Sequence, residues 1–282
     1  MIGIGLPSPG QIAALICRPA PSLRAKNLER LPEKRILITG ASSGIGRATA
    51  IAAAEADARV VLVARREPEL KQLCEEIHEA GGRAVYRACD LADDTAVADL
   101  LDWLREDVGV VDVLVNNAGH SIRRPVAESL DRMHDFRRTM LLNYFGPVQL
   151  TIGLLPAMLA SGNGHVINIG TWTVPTGTSP RFAAYHSSKM ALTGFGQCLD
   201  AELSERGIAV TAVHFPLVHT AMSAPTAKYR KMPGLTPPEA AEWILNAIRQ
   251  RPAEVVPLYV PVLRALSLVD QRALGRLLLK FG

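Results

Sequence analysis

The sequence predicts a doubly wound α/β domain built on a mostly parallel seven-stranded sheet. Two observations carry that prediction. Short, continuously apolar runs alternate with helical segments along most of the chain, and a glycine-rich turn joins the first run to the first helix. Strands that are apolar on both faces belong in a parallel sheet covered by helices on each side. A glycine turn in that position is where such a sheet holds a nucleotide.

The elements follow in order. RILIT at 35–39 is the first apolar run, and the alanine-rich GIGRATAIAAAEADA behind it reads as a helix. RVVLVA at 59–64 is followed by a charged helical segment from Glu67 to about Ala80. RAVYRA at 83–88, a helix over 94–106 and VDVLVNN at 111–117 continue the rhythm. A long helical stretch from Leu130 to Ala160 is interrupted by polar residues and Pro147. GHVINIG at 164–170 predicts a strand, 183–206 a helix, and IAVTAVHF at 208–215 another strand. PPEAAEWILNAIRQR opens on prolines and keeps helical periodicity. AEVVPLYV is the candidate for the last strand. No repeat or linker divides this pattern, so the expected organisation is an extension over 1–32, one catalytic domain over 33–260 and a tail over 261–282.

Composition narrows the function. Of 282 residues, 48% are hydrophobic and 21% charged, which is ordinary globular usage. The net charge of +4 comes from scattered Lys and Arg without a basic run, and only 5% of residues are aromatic, which argues against nucleic-acid binding. Cys17, Cys74, Cys89 and Cys198 form no CxxC pair and no disulfide framework, so reduced thiols and a cytoplasmic location are expected. Cys74 and His78 share a helical face, but two ligands do not make a metal site. Residues 1–32 lack the positive n-region of a signal peptide, and no stretch reaches the roughly 18 apolar residues that span a bilayer.

TGASSGIG at 39–46 spaces Gly40, Gly44 and Gly46 as G-x3-G-x-G, with Ser42, Ser43 and Ile45 between them. Glycine lets backbone N–H groups close on a pyrophosphate, and the helix N-terminus then faces its charge. At the end of the second strand, where an acid would bind the ribose hydroxyls of NAD, the chain offers Ala64, Arg65 and Arg66, with Arg47 just past the glycines. Arginine suits a 2′-phosphate, so NADP(H) is the expected cofactor. In AAYHSSK, Tyr185 and Lys189 sit at i and i+4 and share a helix face. A lysine charge about 5 Å away, at an effective dielectric near 20, favours phenolate by roughly 3 kcal/mol, or about two pKa units. On that reading Tyr185 is an acid usable near neutral pH.

TGASSGIG, CDL at 89–91, NNAG at 116–119, Asn143 and YHSSK, in that order over residues 34–260, resemble the short-chain dehydrogenase/reductase family with its Rossmann-type fold. The resemblance implies that Asp90 and Leu91 pack by the adenine, and that Asn116, Asn117, Ala118 and Gly119 support the sheet and line the cofactor cleft. It implies that Asn143 holds a water relaying protons to Lys189, that Lys189 binds the nicotinamide ribose, and that Tyr185 is the acid/base. It also implies that Pro216, Val218 and Thr220 face the nicotinamide. Two departures stand out. Gly170 and Thr171 replace a pair of serines after the fifth strand, which makes Thr171 the carbonyl-orienting hydroxyl and Thr173 its rival. Leu217 replaces a glycine in FPLVHTAM. Phrases such as GTWTV and LTPPEAAEWILNAIRQRP are similar to the fatty acyl-CoA reductase-like branch.

The segment 219–236 sets Met222, Tyr229, Met232 and Pro233 among Lys228, Arg230 and Lys231, which suits an adaptable apolar pocket with a basic mouth. In the tail, Leu263, Leu266, Leu274, Leu277, Leu278 and Phe281 oppose Arg272, Arg276 and Lys280. Such a tail can lie on a membrane surface or pack on protein. The family implies a homo-oligomer through helices at 136–160 and 184–206. The expected function is NADPH-dependent reduction of a carbonyl on a lipophilic substrate of lipid metabolism: a ketone, aldehyde or acyl thioester. The competing reading is a catalytically silent NADP(H)-binding sensor or scaffold, which the intact Tyr185 and Lys189 disfavour.

Overall fold

From Arg35 onward, strands and helices alternate in the computed structural model, which describes residues 31–281. Cys17 and nearly all of the expected extension over 1–32 lie outside the described residues, as does the Phe281 side chain. The strands are β1 (Arg35–Thr39), β2 (Arg59–Ala64), β3 (Arg83–Ala88), β4 (Val113–Asn116), β5 (Gly164–Thr171), β6 (Ile208–Phe215) and β7 (Glu254–Val255). They form one parallel sheet in the order β3-β2-β1-β4-β5-β6-β7. The order reverses between β1 and β4, and a cleft at the carboxyl ends of the strands belongs at that point.

The first helices are α1 (Gly44–Glu55), α2 (Glu67–Glu79), α3 (Asp94–Trp103), α4 (Met133–Met140) and α5 (Gly146–Ser161). They are followed by α6 (Ala183–Leu203), α7 (Pro237–Gln250), α8 (Val260–Val269) and α9 (Gln271–Phe281). Side chains alternate across each strand. Ile36 and Ile38 therefore enter a core with α1, α2 and α7, while Leu37 enters the opposite core with α3, α5 and α6. Each fully buried aliphatic side chain contributes roughly 1.5–3 kcal/mol of transfer free energy. Thr236 starts α7 with a capping box: its hydroxyl accepts from the Glu239 amide (3.4 Å), and the Glu239 carboxylate accepts from the Thr236 amide (2.7 Å).

Three elements differ from expectation. The last strand shrinks to two residues because Pro252 and Pro257 bracket it and cannot donate to the ladder. The tail breaks at Asp270, whose extended backbone separates α8 from α9 and whose carboxylate accepts from the Ala273 amide at 2.9 Å. The 29-residue stretch Met133–Ser161 is one continuous helical run, long and apolar enough by composition to cross a membrane, with mean hydropathy 1.2. That corrects the expectation that no such stretch exists. In the fold it is a core helix: Asn143, Leu150, Thr151, Leu154 and Met158 are buried along it.

Candidate active site

Thr39 sews the first turn to the end of β4. Its hydroxyl donates to the Val115 carbonyl (3.1 Å) and accepts from the Asn117 and Ala118 amides (3.0 Å each). The Asn117 amide group donates back to the Thr39 carbonyl at 2.8 Å. Gly40 has φ +66°, and a Cβ there would lie 2.9 Å from the Ala118 Cα. A Cβ on Gly46 would run into the Gly40 carbonyl. The glycines are therefore required by close backbone approach, and Ser42, Ser43, Gly44 and Ile45 are left facing the cleft at the start of α1. Ser43 makes no side-chain cap and the first turn carries no acid, so the leading amides of α1 are open to an anion. This cradle fits a dinucleotide pyrophosphate. Thr220 reaches over it, its methyl 3.3 Å from where a Gly44 Cβ would sit.

At the far end of the cradle Arg65 and Arg66 are exposed on the cleft wall. Arg66 donates to the Ser42 hydroxyl at 3.1 Å and pairs with Glu69, and Arg65 lies 3.8 Å from Asp90. Leu91 lines the wall, but Asp90 does not: its carboxylate turns back to the Ala92 amide at 3.0 Å. Arg47 is turned away into an ion pair with Glu76 of α2 and does not reach the cleft. Gly46 is buried beneath the turn rather than on its surface. Cys74 and His78, the pair with metal-ligand types, instead both approach the Ala84 carbonyl and fasten β3 to α2.

The centre of the cleft is built on α6. Tyr185 and Lys189, one turn apart, both face the cleft; Lys189 is buried and Tyr185 partly so. Burial pushes the Tyr185 phenol up to about 12 and the Lys189 ammonium down to about 8. The expectation that the lysine charge would lower the tyrosine is therefore overturned for the protein alone. Burial disfavours the charged form of each group, and it is the cause of both shifts.

Asn143 arrives through a π-turn over Leu141–Phe145, a feature frequent at functional sites. It is 0% exposed. Its amide donates to the His120 carbonyl and the Ser188 hydroxyl, and its oxygen accepts from the His120 amide, all at 3.0 Å. A Cβ on Gly119 would lie 3.0 Å from the Asn143 oxygen and 3.5 Å from Lys189 Nζ. Glycine at 119 thus lets the asparagine and the lysine face one space. Asn116 points away from the cleft and donates to Asn168 (2.9 Å) and Thr151 (3.2 Å) in the core.

Thr171 ends β5 with its side chain half-buried at the cleft. Its hydroxyl lies 3.5 Å from that of Thr173, which is buried and 3.3 Å from His186 Nδ1. Both threonines line the cleft; Thr173 is the more buried and has His186 as a partner, whereas Thr171 is the more open of the two. Gly170 is opposite His214 in the β5–β6 register, and a Cβ on it would stand 2.5 Å from His214 Nδ1. The imidazole fills the volume that a serine at 170 would need. Burial holds His214 down to about 4, and Glu254 and then Arg264 lie beside it.

The cleft encloses about 1130 Å³. Pro216 and Val218 line it, and Leu217, in place of a glycine, is stitched down by the Leu235 amide donating to its carbonyl at 2.8 Å. Met222 and Met232 extend the apolar wall, and α9 closes it with Leu278. The break at Asp270 splits the apolar face expected of the tail: Leu274 is 3% exposed and Leu278 faces inward, while Leu266 and Leu277 remain outside. Trp172 meets Tyr259 edge-on at 5.5 Å, and Arg264 donates to the Pro175 carbonyl, so the tail rests on the loop after β5. Thr39, His120, His214 and Leu278 were not singled out from sequence for these roles. The only local signal was the leucine pattern of the tail.

A family model described as short chain dehydrogenase matches residues 34–231. The chain is 44% identical over 248 residues to a fatty acyl-CoA reductase of Mycobacterium tuberculosis, covering 88% of this chain and 84% of that one. It is 47% identical over 233 residues to a fatty acyl-CoA reductase of Acinetobacter baylyi, covering 83% and 79%. Among solved structures, a putative NAD(P)-dependent gluconate 5-dehydrogenase from Beutenbergia cavernae with bound NADP superposes with a TM-score of 0.73. It shows 30% identity, covering 82% of this chain and 96% of that one.

Proposed function

Since the chain belongs to the short-chain dehydrogenase family and is an NADP(H)-dependent oxidoreductase, we propose that it reduces the carbonyl of a lipophilic substrate, with a long-chain acyl thioester or aldehyde as the favoured class. The observation that carries this reading is the shared cleft face of Tyr185 and Lys189 on α6, in a cleft also lined by Thr171 and by apolar Met222, Met232 and Leu278. Two relatives named fatty acyl-CoA reductases support the substrate class.

Bound NADPH supplies the hydride that the carbonyl carbon accepts. Gly40, Ser42, Ser43, Gly44 and Ile45 would hold its pyrophosphate, and Arg65 and Arg66 its 2′-phosphate. Leu91 would face the adenine. Asn117, Ala118 and Gly119, with Pro216, Val218 and Thr220, would hold the nicotinamide half. Tyr185, kept protonated by burial, gives its proton to the carbonyl oxygen. Thr171 donates a hydrogen bond to that oxygen and fixes its direction. Lys189 presents its ammonium to the ribose, and Asn143 braces the loop in front of it. The apolar wall excludes water from the reacting carbon.

Exposed Phe145 at the end of the π-turn, Ile152 on α5 and Met190 on α6 support pairing with a second copy. Leu268 and Val269, 85% and 86% exposed and followed in sequence by Arg272, support peripheral contact of a cytoplasmic enzyme with an anionic membrane surface.

The test is NADPH consumption with ketones, aldehydes and acyl-CoA thioesters of increasing chain length. Activity should rise with chain length, and Tyr185→Phe should lower turnover by roughly 10² while leaving NADPH affinity within a few-fold. Turnover in that variant within a factor of two of the parent would assign the proton to another group.

A further inference from the structure

Among the described residues, those lining the cleft include Arg65, Arg66, Arg123, Lys189 and Lys228 and no carboxylate. Arg65 and Arg66 stand at the adenosine end, and Lys189 stands at the centre. Arg123 and Lys228 belong to the loops that form the substrate side, and nothing in the hydride chemistry uses them.

Three loops meet there. The segment 120–127 carries Arg123, the segment 172–182 carries Arg181, and the segment 216–236 carries Lys228, Tyr229, Arg230 and Lys231; none contains Asp or Glu. The loops are joined by built contacts. The Arg124 amide donates to the Arg181 carbonyl at 2.6 Å, and Arg181 adopts a left-handed backbone with φ +69°. A non-glycine residue held there costs of order 1–3 kcal/mol, and such strain gathers at ligand sites. Arg124 is committed to buried Asp135, together with Arg132 and Arg138. Its neighbour Arg123 instead lines the cleft with Lys228 and the half-buried Tyr229, and the charges of Arg123 and Arg181 both act on the Tyr229 phenol. Among the described residues, no carboxylate pairs with Arg123 or Lys228.

We propose that Arg123, Tyr229 and Lys228, with Arg181 beside them, form a second phosphate-binding site that reads a phosphate ester carried by the substrate. A phosphate monoester carries about −1.5 to −2 charges near neutral pH, which two or more cations match. Arginine and a phenol offer directed donors to its oxygens. Met222, Met232 and Leu278 line the same cleft, so the ligand is an amphiphile with an alkyl chain in the cleft and a phosphate at the mouth. This rests on the proposed reduction of a lipophilic carbonyl and adds the chemistry of the group that accompanies it. The phosphate has two sources of equal chemistry, an acyl carrier such as coenzyme A or a lipid head group.

The experiment is calorimetric binding of dodecyl phosphate and of dodecanol at saturating NADP⁺, which blocks the Arg65–Arg66 end. The parent should bind the phosphate at least tenfold more tightly than the alcohol. The double variant Arg123→Gln/Lys228→Gln should bring the two within twofold, whereas Arg105→Gln, a remote change of charge, should keep the ratio. Competition of dodecyl phosphate by coenzyme A assigns the phosphate to a carrier; absence of competition assigns it to a lipid head group. Equal affinity of the parent for the phosphate and the alcohol, or a ratio unaltered in the double variant, overturns the site. Neither result depends on turnover, so a failure to reduce aldehydes or thioesters would strike the proposed reaction alone.

Discussion

Gly170 and His214 occupy paired positions on β5 and β6, and the imidazole of one fills the side-chain volume that the other lacks. A serine at 170, the residue that the family pattern favours, would place its Cβ against His214 Nδ1. Gly170→Ser should therefore lower stability by about 1–3 kcal/mol, the usual range for overpacking. His214→Ser leaves room for it. In a double-mutant cycle by urea denaturation, the pair should be less destabilised than the sum of the singles by more than about 1 kcal/mol. Additive effects would show that the two positions do not compete for space.

Thr171 should carry the hydroxyl that directs the carbonyl. Thr171 and Thr173 both line the cleft, but Thr173 is buried and lies against His186, while Thr171 is only half-buried. Thr171→Val keeps the shape and should lower turnover by roughly tenfold or more without weakening NADPH, and Thr171→Ser should restore it. Thr173→Val should have the smaller effect on turnover. The reverse ranking in steady-state kinetics would transfer the role to Thr173.

Cofactor choice should rest on Arg65 and Arg66. NADPH should bind at least tenfold more tightly than NADH, and Arg65→Asp should narrow or invert that ratio in fluorescence titrations. Arg47→Gln should leave the ratio alone, because Arg47 is held by Glu76 away from the cleft. Equal dissociation constants for the two cofactors in the parent would remove the arginines from this role.

The pH profile should fall on the alkaline side. Tyr185, raised to about 12, stays protonated and ready to donate across the whole working range. Lys189, lowered to about 8, loses its charge as pH rises through that value. If the charged lysine is the active form, kcat/KM for carbonyl reduction should be level below pH 7 and drop about tenfold per unit well above pH 8. A profile still level at pH 10 would mean that the lysine charge is dispensable.

The sheet was legible because its signals are local. Continuous apolar runs and a glycine turn are written within a few residues of each other, and all seven parallel strands and their helices follow from them. The arrangement of Tyr185 and Lys189 on one helix face was legible for the same reason. What their environment does to them was not, because burial is created by distant elements; the i,i+4 spacing alone suggested the opposite shift for Tyr185. Gly170 looked like an unexplained departure because its partner His214 is brought alongside only by the β5–β6 register. Asp90 belonged to a recognised phrase, yet its own Ala92 amide turns it off the wall. The tail read as one amphipathic helix because the leucine pattern runs through Asp270, where a capping carboxylate breaks it.

Leu278 has a consequence for how this enzyme could be altered. Tyr185, the proposed proton donor, the glycine cradle and Asn143 are anchored in the sheet and its core helices, whereas part of the apolar wall proposed to meet an alkyl chain belongs to an 11-residue helix laid on afterwards. On the proposed reaction, chemistry and taste are thus housed in separate parts. A library confined to α9 can explore preferences for longer, shorter or branched chains without risking the reaction itself, and the same separation lets descendants of one ancestor diverge in diet while keeping an unchanged engine.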